Sequence, residues 1–389
     1  MTMINIIKNN KKAPTRLGLY IHIPFCRTKC LYCDFCSFVS RNDDEREAYV
    51  KALLCEIEAR KTGEYLVDTV YIGGGTPSLL ADEQIGRILS CIKENFVVDE
   101  NVEITLECNP MTHLSDGKEY FSALHELGVN RLSLGVQSAI DGELKLIGRR
   151  HSFAEVKKTF TDARESGFDN ISIDLMFGIP SQTLDSLKSS LSEFLLLGAE
   201  HISIYSLQLE EGTPLYRMQE KYTFADDDTV ADMYGEINAT MKKAGYIHYE
   251  ISNFAKEGKE SRHNSKYWRL DEYLGLGLAA HSDFSGKRRE NTSDMNKYLA
   301  GEWTENEITI GASEREFEFI MLGLRTKMGI SKAEFFTRFG TDFDEKYGKK
   351  IKNLEKMGYF SQNGENISLS ERGFEVSNAI LEEILDFDY

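Results

Sequence analysis

The chain has 389 residues, 41% of them hydrophobic, and 46 basic against 63 acidic side chains give a formal net charge of -17. That length exceeds what one core usually serves, so a large domain with a smaller companion is expected. The acidic balance offers no general footprint for phosphates and argues against a nucleic-acid partner; no apolar run is long enough to span a bilayer.

Residues 1–14 are polar and lysine-containing, without an apolar signal core, which predicts a flexible lead on a cytoplasmic protein. An apolar strand over 17–23 then runs into Cys26-Arg-Thr-Lys-Cys30-Leu-Tyr-Cys33. Three thiolates at C-x3-C-x2-C spacing can hold three corners of a cubane cluster and leave its fourth iron open. Soft sulfur selects iron–sulfur clusters, zinc or copper, and Arg27 and Lys29 favour the thiolate form. The competing reading is a zinc site with Cys36 as fourth ligand, although four cysteines between Cys26 and Cys36 crowd a tetrahedral cage. The other cysteines, Cys55, Cys91 and Cys108, fall in helix or strand patterns and read as small core residues; an odd total of seven fits a reduced compartment better than a disulfide framework.

A helical pattern through Leu53, Leu54 and Ile57 leads to a strand at 67–72 that enters Gly73-Gly74-Gly75-Thr76. Further strands are predicted at 102–108, 131–136, 170–175 and 202–207, with helices at 82–95, 118–127, 153–166, 184–197 and 229–244. Six strand–helix units specify a parallel sheet with right-handed crossovers. Polar signals gather just past the strand ends, where parallel barrels keep their sites: the cysteines, the glycine run, Glu107 and Asn109, Gln137, Asp174, and Gln208 with Glu210.

From Tyr246 the pattern changes. A seventh strand is expected at 249–254; residues 262–283 are rich in histidine, aromatics and glycine without periodicity and read as a functional loop, and 287–303 reads as a linker. Helices at 313–323, 332–339 and 343–357, an alternating hairpin at 359–369 and a helix at 371–385 make a winged-helix-like module without a dense basic face. The expected division is a lead at 1–14, a barrel at 15–245, a loop region and linker at 246–303, and a C-terminal domain at 304–389.

The cysteine spacing after a strand, followed by Gly73-Gly-Gly-Thr-Pro77, resembles the radical S-adenosylmethionine (SAM) superfamily, and the run from about Leu17 onward resembles its HemN/HemW group. The resemblance implies an α/β fold: a partial, open (β/α)6 TIM-like radical SAM barrel with a smaller C-terminal helical, winged-helix-like domain. It implies a [4Fe-4S] cluster on Cys26, Cys30 and Cys33, and SAM on the backbone of Gly73, Gly74 and Gly75 with Thr76, since glycines let a ligand approach closely. Matched positions extend the expected SAM contacts to Glu107, Gln137, Arg149 and Asp174, and Tyr20 matches the opening Tyr-Ile-His-Ile-Pro of relatives.

Within that group the porphyrinogen-decarboxylating branch places a fourth cysteine where this chain has Phe35, one position before Cys36, and carries a longer extension before its cluster than the 25 residues preceding Cys26. Oxidative decarboxylation of coproporphyrinogen III is therefore disfavoured. His263-Asn-Ser-Lys-Tyr267-Trp268 matches the H-N-x-x-Y-W motif associated with heme in the chaperone branch: an imidazole for iron and two flat surfaces for a macrocycle. Taken without the family, the hexapeptide reads as an aromatic core with a hydrogen-bonded histidine, and His248 and His281 are rival ligands. The expected function is a heme chaperone that passes heme to an apo-hemoprotein acceptor, with transient contact to membrane-bound acceptors. The alternatives are a radical SAM oxidoreductase acting on a tetrapyrrole, fed by a reductant such as flavodoxin or ferredoxin, and a SAM enzyme for another small cofactor.

Overall fold

Each of the six expected strands forms, because each alternates apolar residues that helices can cover. In this computed structural model they are β1 (Thr15–Ile23), β2 (Tyr65–Gly74), β3 (Val97–Cys108), β4 (Arg131–Gln137), β5 (Ile171–Phe177) and β6 (His201–Ser206), paired in parallel in chain order. The structure describes residues 15–40, 42–110, 117–363 and 365–385; the 1–14 lead lies outside them. Between and after the strands run α1 (Asp43–Ala59), α2 (Asp82–Asn95), α3 (Gly117–Glu126), α4 (Asp141–Leu146), α5 (Phe153–Glu165), α6 (Leu184–Leu197) and α7 (Asp227–Lys243). Leu17, Leu19 and Ile21 of β1, Leu132 and Leu134 of β4, and Ile171 and Ile173 of β5 are fully buried, in one core with helix residues such as Leu53, Ile88 and Phe160. Each such side chain contributes roughly 1.5–3 kcal/mol when buried.

The expected strand at 249–254 is broken into the hairpin β7 (Ile247–Glu250) and β8 (Asn253–Ala255), antiparallel to β6. The segment expected as an aperiodic loop is regular. It forms α8 (Arg262–Arg269) and β9 (Tyr273–Leu276), with β9 parallel to β1. That segment also runs into β10 (His281–Phe284), and the expected linker and the first residues of the expected C-terminal domain join the sheet as β11 (Lys287–Asn291) and β12 (Thr304–Thr309). Ion pairs hold these polar strands where apolar alternation does not: Lys287 and Arg289 to Glu307 at 2.6 and 2.7 Å, and Arg288 to Asp283 at 3.0 Å. Among the described residues the sheet has twelve strands, in the order β12-β11-β10-β9-β1-β2-β3-β4-β5-β6-β8-β7, and its edges do not meet.

The C-terminal module starts at α9 (Ala312–Gly323) and continues through α10 (Lys332–Phe339), α11 (Phe343–Lys356) and α12 (Ser377–Ile384). A small sheet joins Ile330–Ser331, Asn366–Leu369 and Phe360–Asn363 in that order, and Phe335, Phe343, Ile351 and Leu369 give the module a core of its own. It meets the large sheet at β7 by main-chain bonds, Ile251 N–H to the Arg325 carbonyl and Lys327 N–H to the Tyr249 carbonyl, both 2.9 Å. No helix among the described residues is long and apolar enough to cross a membrane.

Candidate functional site

The strand residues that alternate with the apolar ones point to the concave side, and they are polar or glycine: Tyr20, Tyr71, Glu107, Ser133, Asp174 and Ser203 line shared cavities there. An ordinary (β/α)8 barrel packs this space with branched apolar side chains. Here it is left as ligand space.

Cys26, Cys30 and Cys33 line one cavity, with Gly74, Gly75 and Thr76 on its wall. Cys26 is buried and Thr76 Oγ1 lies 3.7 Å from its sulfur; Arg149 Nη1 donates to Cys30 Sγ at 3.5 Å. Burial, and then the neighbouring thiols, push Cys33 up to about 11, and burial also raises Cys26. Three thiolates crowded together therefore need a cationic group to hold them, and this donor set fits an iron–sulfur cluster. Among the described residues no three cysteine, histidine or carboxylate side chains are grouped as ligands of a single metal ion. Cys36 packs against the apolar core, and its carbonyl accepts from His22 Nε2 at 2.9 Å. His22 also bonds Tyr20 through Nδ1 at 3.0 Å, which ties β1 to the cysteine loop.

Of the expected SAM residues, all but Gly73 and Tyr20 line the same cavity. Gly74 has φ +111°, and a Cβ there would fall 2.5 Å from the His22 ring; at Gly73 it would fall 3.0 Å from the Glu107 carboxyl. Glu107 accepts from Tyr71 Oη at 2.7 Å and from Gly74 N–H at 3.0 Å, and burial raises its pKa. Arg149 donates to Asn109 Oδ1 at 2.7 Å and to the Gly135 carbonyl, while Asn109 Nδ2 donates to Thr76 Oγ1 at 2.8 Å. Gln137 has φ +78° and accepts from Tyr205 Oη at 2.7 Å. Asp174, pushed up to about 7 by burial and then by Glu107, lines this cavity too. Tyr20 does not; it faces a second one.

That second cavity shares Glu107 with the first and is walled by Tyr20, Tyr71, Asn264, Tyr267 and Trp268, with Leu322 and Arg325 contributed by the C-terminal module. Its shape depends on α8. Glu103 accepts from the N–H groups of Arg262 and His263 at 3.2 and 3.1 Å, a carboxylate at the positive helix end, and buried Lys266 meets Asp68 at 2.7 Å. The helical period then splits the hexapeptide. Asn264 and Trp268, one turn apart, reach the cavity, and so does Tyr267. His263 is 1% exposed and turned to β2.

His263 is thus placed off the cavity it was expected to serve, because both its ring nitrogens are engaged by protein hydroxyls. Of the rivals, His248 stacks on Phe254 with centroids 4.3 Å apart, and His281 is exposed on β10. Gln208 and Glu210 are exposed and Tyr205 takes their place, since inward residues of β6 alternate from His201 to Ser203 to Tyr205. Tyr71 and Tyr205 were missed, although period two counted back from Gly73 and on from His201 and Ser203 would have found them.

The radical SAM superfamily model matches residues 20–194 and the HemN C-terminal domain model matches residues 312–376. The heme chaperone HemW of Lactococcus lactis is 37% identical over 94% of this chain and 96% of its own, and that of Bacillus subtilis is 37% identical over 93% and 97%. The mitochondrial radical S-adenosyl methionine domain-containing protein 1 of Bos taurus is 32% identical over 95% and 87%. Among solved structures, the coproporphyrinogen III oxidase HemN of Escherichia coli superposes with a TM-score of 0.83 at 23% identity, covering 96% of this chain and 91% of that one, which establishes the shared fold. With relatives this similar along nearly the whole length, the chain belongs to the HemW heme chaperone family of radical SAM proteins.

Proposed function

We propose that the protein binds heme and passes it to an apo-hemoprotein acceptor, and that it carries a [4Fe-4S] cluster on Cys26, Cys30 and Cys33 with exchangeable SAM beside it. The observation that carries this reading is the pair of cavities joined at Glu107, one lined by three thiols and the glycine loop, the other by four aromatic side chains and Arg325. A cluster held by Cys26, Cys30 and Cys33 would supply an iron without a protein ligand, to which SAM could bind. The chain's own groups do the rest. Gly73, Gly74, Gly75 and Thr76 let the ligand approach the backbone. Glu107, Gln137, Arg149 and Asp174 present two acceptor-rich and two donor-capable groups to its polar parts. In the other cavity Tyr20, Tyr267 and Trp268 offer flat apolar faces to a macrocycle, and Arg325 offers charge to its carboxylates.

The test is heme titration of anaerobically reconstituted protein, followed at the Soret band. Saturable one-to-one uptake is expected, weakened about tenfold by Trp268→Ala through loss of one aromatic wall. No saturable uptake sinks the reading. Incubation with reductant, SAM and coproporphyrinogen III is expected to give no protoporphyrinogen IX, and its appearance would establish the oxidoreductase alternative.

A further inference from the structure

The floor of the barrel holds a buried cation that shares its cavity with the carboxyls of Glu107 and Asp174 but has no hydrogen bond at Nε. Arg131 opens β4, is 1% exposed, and its Nε has no hydrogen-bond partner. Thr105, its register neighbour on β3, likewise has an unpartnered buried Oγ1. A buried guanidinium without a partner is costly, and folded proteins rarely retain one unless something else completes it. Arg131 lines a cavity of about 330 Å³ together with Ser133, Ser172, His201 and Ser203. His201 is neutral there: its nitrogens bond Ser172 Oγ and Tyr249 Oη, both at 2.8 Å, and burial, then the charge of Arg131, hold its pKa well below the ordinary range. Two carboxyls, Glu107 and Asp174, share the cavity; burial shifts both toward the protonated form, against the pull of Arg131 itself.

We propose that Arg131 and the hydroxyls around it form a carboxylate site that receives one acid arm of the bound tetrapyrrole. The floor cavity shares Tyr71, Glu107 and Asn264 with the aromatic cavity, so an arm leaving a ring stacked on Tyr267 and Trp268 has a direct path to the guanidinium. A carboxylate there gains a bidentate, charge-assisted pair in a dry site. Arg149 faces the cysteine cavity instead, which assigns the two buried arginines to different ligands. The assignment rests on the heme reading above.

The experiment compares heme with its dimethyl ester, whose acid arms are blocked, on the reconstituted full chain. Wild type is expected to bind heme about tenfold or more tightly than the ester. Arg131→Met is expected to remove most of that preference and leave the ester unchanged, while Arg131→Lys retains most of it. Wild type that takes both porphyrins equally overturns the carboxylate site, and needs no variant to do so. Discrimination that survives in folded Arg131→Met overturns it as well. A fall in SAM affinity in that variant, with porphyrin discrimination intact, assigns the arginine to the SAM carboxylate and overturns it too. Wild type that binds neither porphyrin overturns the heme reading itself, and the site falls with it.

Discussion

The Nε2 of His263 lies 2.8 Å from the Tyr267 hydroxyl one helical turn along α8, and Nδ1 lies 2.9 Å from the Thr69 hydroxyl on β2. Burial, and then the charges of Lys266 and Arg131, push the imidazole down to about 3, so it stays neutral throughout the physiological range. Its work is to fix Tyr267 and seat the helix. His263→Ala leaves two hydroxyls to rearrange in a dry place and is expected to cost roughly 1–3 kcal/mol of stability. Thermal melting should show the loss, with the position of the Soret band unchanged. A shifted band with unchanged melting would return His263 to the iron.

The thiols are expected to divide three to one. Cys30→Ser should abolish the brown chromophore and acid-labile sulfide, whereas Cys36→Ser, which alters a side chain packed on the core, should keep both. Iron and sulfide analysis of anaerobically purified protein checks this, and loss of iron in Cys36→Ser would make it a ligand.

Gly74→Ala tests the backbone of the glycine loop. The residue sits at φ +111°, and an added methyl meets the His22 ring at 2.5 Å. Strain of roughly 1–3 kcal/mol is expected. SAM affinity by calorimetry should fall with it, and a variant that binds SAM as wild type does would show that this turn is not part of the site.

Glu250 gives stability a pH dependence. It is 0% exposed at the junction with the C-terminal module; Ser252 N–H and Asn253 Nδ2 donate to it, and Arg325 and Lys327 lie on the segment paired with its strand. Burial raises its carboxyl to about 7, against about 4.3 in an unfolded chain. Between those values the folded protein keeps a proton that the unfolded chain has lost, so this residue's contribution to stability declines as pH rises and is flat above about 7. Urea titrations from pH 4.5 to 8 (roughly the window between the two states) should show Glu250→Gln losing that decline, a difference of order 1–3 kcal/mol across the range. Parallel slopes would refute the assignment.

What could be read from residues alone follows from where the information lies. The six parallel strands and the rim they share were legible because each strand carries its apolar alternation locally and ends on a polar or glycine signal. The positions of Cys26, Gly74 and Glu107 followed from that. The helix α8 was harder to read: Arg-His-Asn-Ser-Lys-Tyr-Trp-Arg has no apolar stripe, and beyond the local cap of Ser261 it is seated by Glu103, Asp68 and Thr69, far away in sequence. The strands β11 and β12, Lys-Arg-Arg-Glu-Asn and Thr-Glu-Asn-Glu-Ile-Thr, are held by cross-strand charge and look like linker one at a time. Arg131 was hidden for another reason. A cation at the head of an apolar strand ordinarily marks the solvent boundary, and only the curvature of the sheet turns it inward.

The roof over the aromatic chamber is spliced to its wall at β7 by the amide of Ile251 and the amide of Lys327. Ion pairs from Arg315 to Asp283 and from Arg288 to Glu318, and the His248 ring against Phe374, tie roof and wall as well, so the chamber is closed by a broad contact and not by a two-bond hinge.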